Sequence, residues 1–187
     1  MLYIITGIAK AGKSYLANEI KERYQISSFS TDYIMMMLSR ANKNLNIDVD
    51  ASDITVSKQL EPYIYFLVKT MIENDETYLF EGVHFTAEFS RKLLDEFKDD
   101  LKIIYIGYKD ITTKQKVDEL NKFQESMNNP WIFNHLNQPI EEIVEYLIEE
   151  SSKLFNDCNK YNLTYIDIFN IENQAENIIL NLLKIKK

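Results

Sequence analysis

Short apolar runs alternate along the whole chain with stretches in which apolar residues return every three or four positions. Leu2-Tyr3-Ile4-Ile5-Thr6 leaves no room for a helix before Gly7 and predicts a strand. From Gly12 onward Tyr15, Leu16, Ile20 and the stem of Arg23 fall at helical spacing. Residues 26–30 predict a second strand and residues 31–40 a Met-rich helix, followed by a polar, acidic surface connection over 41–53. Val56, Leu60, Ile64, Leu67 and Met71 then predict a long amphipathic helix. Tyr78-Leu79-Phe80 forms a third strand that ends at Glu81-Gly82, and Phe89, Leu93, Leu94 and Phe97 mark another helix. The fourth strand, residues 101–108, is apolar almost throughout and is expected to be buried on both faces. Ile140, Ile143, Val144, Leu147 and Leu154 give a long helix with Pro139 at its first turn. Residues 163–168 and 171–183 supply the fifth strand and a closing helix.

Strands that alternate with helices from end to end predict an α/β fold of three layers, α/β/α, around a five-stranded, mainly parallel sheet. At 187 residues the chain is expected to form one domain. Residues 110–138 are the least regular stretch, a polar helix followed by Asn128-Asn129-Pro130, and read as a lid or mobile insertion. Composition narrows the classes: 45% hydrophobic and 27% charged residues exclude a disordered or fibrous chain. The net charge of −8 argues against a nucleic-acid partner. The single Cys158 excludes an internal disulfide framework. No apolar run approaches the roughly 20 residues of a membrane helix, and the Leu2–Ile5 run is too short and lacks the basic flank of a signal peptide. The expectation is a cytoplasmic protein without a membrane partner, its oligomeric state open.

Gly7-Ile8-Ala9-Lys10-Ala11-Gly12-Lys13-Ser14 matches G-x-x-x-x-G-K-[ST] and lies between a strand and a helix, the context this phosphate-binding loop requires. The glycines let the backbone curl so that the amides of residues 7–15, Tyr15 included, converge on a phosphate at the helix N-terminus. Lys13 supplies a mobile charge for the β- and γ-phosphates, and the Ser14 hydroxyl a ligand for Mg2+. A dinucleotide-binding loop is excluded because Ala9 stands where the second glycine of G-x-G-x-x-G is needed. A switch GTPase needs an acid where Leu79 stands, and Asn121-Lys122-Phe123-Gln124 lacks the final Asp of a guanine-reading motif.

Two carboxylates end strands that share one crevice with this loop. Asp32, in Ser30-Thr31-Asp32, is placed to orient or deprotonate an acceptor hydroxyl, though Ser-Thr-Asp also suits a helix cap. Glu81 is placed to reach Mg2+ through water, Gly82 to bring backbone close to ligand or phosphate loop, and His84 to sit at the crevice rim as an acceptor contact. Tyr33, Met35-Met36-Met37, Tyr63 and Phe66 are expected to be core, with an apolar acceptor pocket as the alternative.

With these residues the chain resembles the adenylate-kinase-like group of small P-loop kinases. Ser30-Thr31-Asp32-Tyr33-Ile34 and Phe80-Glu81-Gly82-Val83-His84 are similar to patches of the 2-phosphoglycerate kinase and zeta-toxin-like branches. The resemblance implies a P-loop nucleoside triphosphate hydrolase fold, ATP and Mg2+ as cofactors, a closing lid, and adenine packed near Phe169 and Asn170. It also implies acceptor-binding arginines on the helix after Asp32 and in the lid. The chain has only Arg23, Arg40 and Arg91, which leaves Arg40 as the acceptor contact and casts doubt on an anionic acceptor such as 2-phosphoglycerate. Lys114, Lys116 and Lys122 are alternative point charges or residues of a solvated helix face. The expected function is phosphoryl transfer from ATP to a small-molecule acceptor (a nucleoside, nucleotide or phosphorylated metabolite), with Lys13 and Asp32 catalytic. The alternatives are an ATP-binding switch with slow hydrolysis and a polynucleotide-end kinase, the latter disfavoured by the acidic charge.

Overall fold

The computed structural model describes residues 1–126, 131–133 and 138–184. The first half runs β1 (Leu2–Gly7), α1 (Lys13–Tyr24), β2 (Ser28–Ser30), α2 (Thr31–Ala41), α3 (Asp53–Glu73) and β3 (Tyr78–Glu81). The second half runs α4 (Ala87–Glu96), β4 (Leu101–Gly107), α5 (Thr113–Phe123), α6 (Ile140–Lys160), β5 (Thr164–Asp167) and α7 (Ile171–Leu183). The sheet order is β2-β3-β1-β4-β5, and every pairing is parallel. The chain reverses its direction of travel across the sheet at β1, whose two neighbours are β3 and β4, so a crevice opens at the carboxyl end of the central strand.

Alternation along the strands divides the core in two. Tyr3, Ile5, Leu79, Ile104 and Ile106 point into one layer with α1, α5 and α7. Leu2, Ile4, Phe80, Ile103 and Tyr105 point into the other with α2, α3 and α4. Helix α6 serves both layers, Val144 and Leu147 packing in the first and Cys158 in the second. Strand β1 is buried at every position, as a central parallel strand with helices on both sides requires. Among the described residues no helix is long and apolar enough to cross a membrane.

Four details depart from the periodicity. Strand β2 is only three residues long, because Ile26 packs into the first core instead of continuing the edge ladder. Helix α3 starts at Asp53, three residues before its first core residue Val56, because the Ser52 side chain accepts the Thr55 N–H at 3.3 Å and caps it. Tyr33, Met37, Tyr63 and Phe66 are exposed rather than core: the short edge strand leaves the outer faces of α2 and α3 uncovered. Lys116 is 2% exposed, not part of a solvated face, whereas Lys114 and Lys122 form surface ion pairs with Asp118 and Glu172. Within the expected lid, α5 is held by a Thr112/Gln115 capping box and buries Val117 and Leu120; Asn128, Asn129 and Pro130 lie outside the described residues.

One buried polar link ties the core to the crevice. The Tyr105 hydroxyl donates to the Phe85 carbonyl at 3.0 Å and pairs with Ser90 Oγ at 2.7 Å, pinning the loop that follows β3. Tyr105→Phe leaves that carbonyl without its partner, and urea unfolding should show a loss of about 1–3 kcal/mol.

Candidate functional site

The loop between β1 and α1 is shaped by left-handed backbone at Lys10 (φ 62°) and Gly12 (φ 97°). Gly12 has a second reason to lack a side chain, since a Cβ there would stand 2.7 Å from Ile171 Cγ1 at the start of α7. Helix α1 begins with no side-chain cap and no acid in its first turn, which leaves its opening amides at Lys13, Ser14 and Tyr15 directed at the crevice. Other loop amides are used within the fold: Ile8 N–H donates to the Ile106 carbonyl at 3.1 Å and Ala11 N–H to the Ile8 carbonyl at 3.3 Å. Lys13 is buried and its ammonium donates to the carbonyls of Gly7 (3.2 Å) and Ile8 (2.7 Å). Burial pulls its pKa down, opposed by the charges of Glu81, Asp53 and Asp32. The Lys10 ammonium is lowered to about 8, by burial first and by Lys13 second, and lies 5.3 Å from the centre of the Trp131 ring.

Glu81 sits at the tip of β3, in register with Ile5 of β1 and Ser30 of β2. Its Oε2 accepts the Ser14 hydroxyl at 3.2 Å. A hydroxyl and a carboxylate oxygen side by side at the crevice are hard donors of the kind Mg2+ takes. No group of three or more His, Cys, Asp or Glu placed to hold a metal ion is present among the described residues.

The Ser30 side chain caps α2, accepting the Asp32 N–H at 3.4 Å, so the Asp32 carboxylate is not consumed as a cap. It is 60% exposed toward the crevice, with Oδ1 3.7 Å from His84 Nδ1. His84 is not at the rim: it is 2% exposed, beneath Asp32, and its Nδ1 pairs with the buried Thr31 hydroxyl at 2.8 Å. Gly82 adopts φ 150°, and a Cβ there would collide with that same hydroxyl. Its small size therefore makes room for the Thr31–His84 pair. Arg40 does not join this group. It lies eight residues beyond Asp32 on α2, about 12 Å along the helix axis. Arg23 and Arg91 are paired on their own helices with Glu19 and Asp95.

Phe169 is 56% exposed beside Gly12's contact Ile171. The Phe169 and Asn170 amides both donate to Gln174 Oε1, and the Asn170 side chain accepts Asn173 N–H as the cap of α7. Both backbone amides and the Asn170 side-chain oxygen are thus occupied, and the Phe169 ring is exposed beside them.

Tyr108 and Asp53 were not legible in the sequence, and Lys116 stands elsewhere than expected. Tyr108, fully buried at the end of β4, donates its hydroxyl to the Ala9 carbonyl at 2.8 Å and props the phosphate loop from beneath. The Lys116 ammonium lies 4.3 Å from the centre of the Tyr108 ring and pairs with Glu119 at 2.6 Å. Asp53, in the first turn of α3, lies within electrostatic reach of Lys13, His84 and Asp32. It is exposed to water, yet the protein around it raises its pKa, against the pull of Lys13 and His84. Knowing that β4 borders β1 would have pointed to Tyr108, but no spacing signals Asp53.

No protein-family model matches the chain, and no curated protein matches it in sequence. Its fold does match solved structures. It is similar to shikimate kinase from Bacteroides thetaiotaomicron over 99% of both chains, with a TM-score of 0.58 at 11% identity. Shikimate kinase from Acinetobacter baumannii gives 0.54 at 11% identity, over 99% of this chain and 93% of that one. A sugar kinase from Janibacter sp. gives 0.54 at 12% identity, over 98% and 94%. The shared architecture is three layers, α/β/α, around a five-stranded parallel sheet.

Burial holds the His84 imidazole below its ordinary value of 6.5, against the opposing charges of Asp32 and Asp53. As pH falls through 6.5 the unfolded chain therefore takes up the proton before the folded one. His84 contributes stability above that pH, and the contribution is lost progressively below it until the folded-state pKa is passed. Thermal melts between about pH 7 and pH 5 should show the unaltered protein losing stability faster than His84→Asn.

Proposed function

We propose that the chain is an ATP-dependent phosphotransferase that moves the γ-phosphoryl group of ATP to a hydroxyl of a small-molecule acceptor. The observation that carries this reading is the opposition, across one crevice, of the Lys13 loop and an Asp32 carboxylate left free of capping duty. The α1 amides at Lys13, Ser14 and Tyr15 hold phosphate oxygens, and the Phe169 ring, with Asn170 beside it, offers a face for the base. Lys13 exchanges its two carbonyl partners for the β- and γ-phosphates. Ser14 and, through water, Glu81 would hold Mg2+, which neutralises phosphate charge when bound.

Asp32 orients the acceptor hydroxyl in line with the γ-phosphorus and takes its proton as the new O–P bond forms and the bond to the β-phosphate oxygen breaks. Because this transition state is loose, positioning and charge matter more than basicity. His84 and Thr31 act through Asp32 as positioning residues, fixed by the close approach that Gly82 permits. Arg40 has no part in this assignment, since the fold holds it at the far end of α2.

A second reading, an ATP-binding switch with slow hydrolysis, draws on one observation. Of the three arginines, two are paired on their own helices and the third is remote from the phosphate loop. Acceptor-dependent release of ADP separates the two, because a switch shows none. Lys13→Ala and Asp32→Asn should each lower kcat by about a hundredfold or more, with calorimetry showing ATP affinity lost in the first and largely kept in the second. A fully active Asp32→Asn would remove Asp32 from the chemistry.

A further inference from the structure

One buried cation has no part in the chemistry described above. Lys116, near the start of α5, is 2% exposed, and its ammonium lies 4.3 Å from the centre of the Tyr108 ring. Burial works against its charge, and Glu119, three residues on at 2.6 Å, works for it. An interior ion pair is a costly way to fill space, since apolar residues of similar volume often serve stability as well or better. Here the charge grips a ring, and an ammonium over an aromatic face is held more strongly when both are out of water. The backbone beneath that ring is fixed from another helix. Tyr108 N–H donates to Ser151 Oγ of α6 at 2.7 Å, and a Cβ on Gly107 would collide with Ser151 Oγ and the Tyr165 hydroxyl. Helix α6 thus sets the Tyr108 backbone, and α5 holds its ring.

The Tyr108 hydroxyl donates to the Ala9 carbonyl at 2.8 Å. Across a trans peptide the C=O of one residue and the N–H of the next point in opposite directions. Anchoring the Ala9 carbonyl therefore turns the Lys10 N–H away from Tyr108, at the residue where the loop takes its left-handed step (φ 62°). We infer that Lys116 is a positioning residue: through the Tyr108 ring it fixes the Ala9–Lys10 peptide plane, and with it the shape of the phosphate loop. Helix α5, the first element of residues 110–138, is thereby joined to the loop by a buried strut. For its bearing on nucleotide binding the inference rests on the phosphotransferase reading, which assigns Lys116 no part.

The strut is tested first without any ligand. Ala11 N–H is bonded inside the loop to the Ile8 carbonyl, and Ser90 N–H to the Thr86 carbonyl on α4, in the other core layer. Exchange of both amide hydrogens is followed by NMR in the unaltered protein, in Tyr108→Phe and in Lys116→Met/Glu119→Gln. The paired substitution leaves no acid without its partner. Ala11 should exchange about 3- to 10-fold faster in each variant, with Ser90 unchanged. Equal acceleration at Ser90 marks a general loss of stability and overturns the inference. So does an unmoved Ala11, or a Lys116→Met/Glu119→Gln chain that does not fold. The second measurement is the dissociation constant of Mg-ADP by calorimetry. Tyr108→Phe should weaken binding by about 3- to 10-fold, and Lys116→Met/Glu119→Gln should weaken it too. All three substitutions together should bind no more weakly than Tyr108→Phe alone, because both routes end at one hydroxyl. Unchanged affinity in both variants, or losses that multiply, overturns the inference. No binding of Mg-ADP by the unaltered protein, alongside the expected Ala11 response, counts against the nucleotide reading and leaves the strut standing.

Discussion

The seat of β1 between β3 and β4 constrains every other part of the site. Hydrogen-bonded on both edges and buried on both faces, the strand has one place to be, and its last residue, Gly7, is in register with Ile106. The chain leaves that point through a loop braced from three directions. The Ile106 carbonyl takes the Ile8 amide, the Tyr108 hydroxyl reaches Ala9, and Ile171 closes on Gly12. A phosphate cradle made of amides works only if those amides keep their directions, and the sheet and α7 supply that stiffness.

The same strand sets the acidic side of the crevice. Glu81 reaches Ser14 because β3 runs beside β1, and Asp32 reaches the space beyond because β2 runs beside β3. The Thr31–His84 pair crosses from α2 to the loop after β3, and Tyr105 pins that loop from the core below. A backbone as tight as that at Gly82 is tolerated because the contacts around it are made by buried, hydrogen-bonded groups.

Much of this was legible in the residues. Element order followed from apolar periodicity, and the phosphate loop from a motif whose spacing has a mechanical reason. Asp32 and Glu81 could be placed because strand tips in a parallel sheet share one end. The remainder depended on relations across the sheet that local pattern does not carry. His84 looked like a rim residue because the chain alone does not show that Thr31 lies over it. Arg40 is the acceptor contact left by the resemblance, which implies arginines on the helix after Asp32, but eight residues of helix carry it away. Asp53 is one acid in an acidic stretch until the fold brings the start of α3 within electrostatic reach of Lys13 and His84. The aromatic residues of α2 and α3 read as core, but a three-residue edge strand does not extend far enough to cover them.

With its ammonium bound to the Gly7 and Ile8 carbonyls, Lys13 already has oxygen partners before any polyphosphate arrives. On the proposed reading, entry of a nucleotide is a swap of ligands around one nitrogen, and the affinity is net of the two bonds surrendered. If the loop takes phosphate as proposed, chain length becomes something it can discriminate: a tail that spans from the α1 amides to Lys13 would replace both carbonyls at once, whereas a lone orthophosphate on those amides would leave the ammonium where it was.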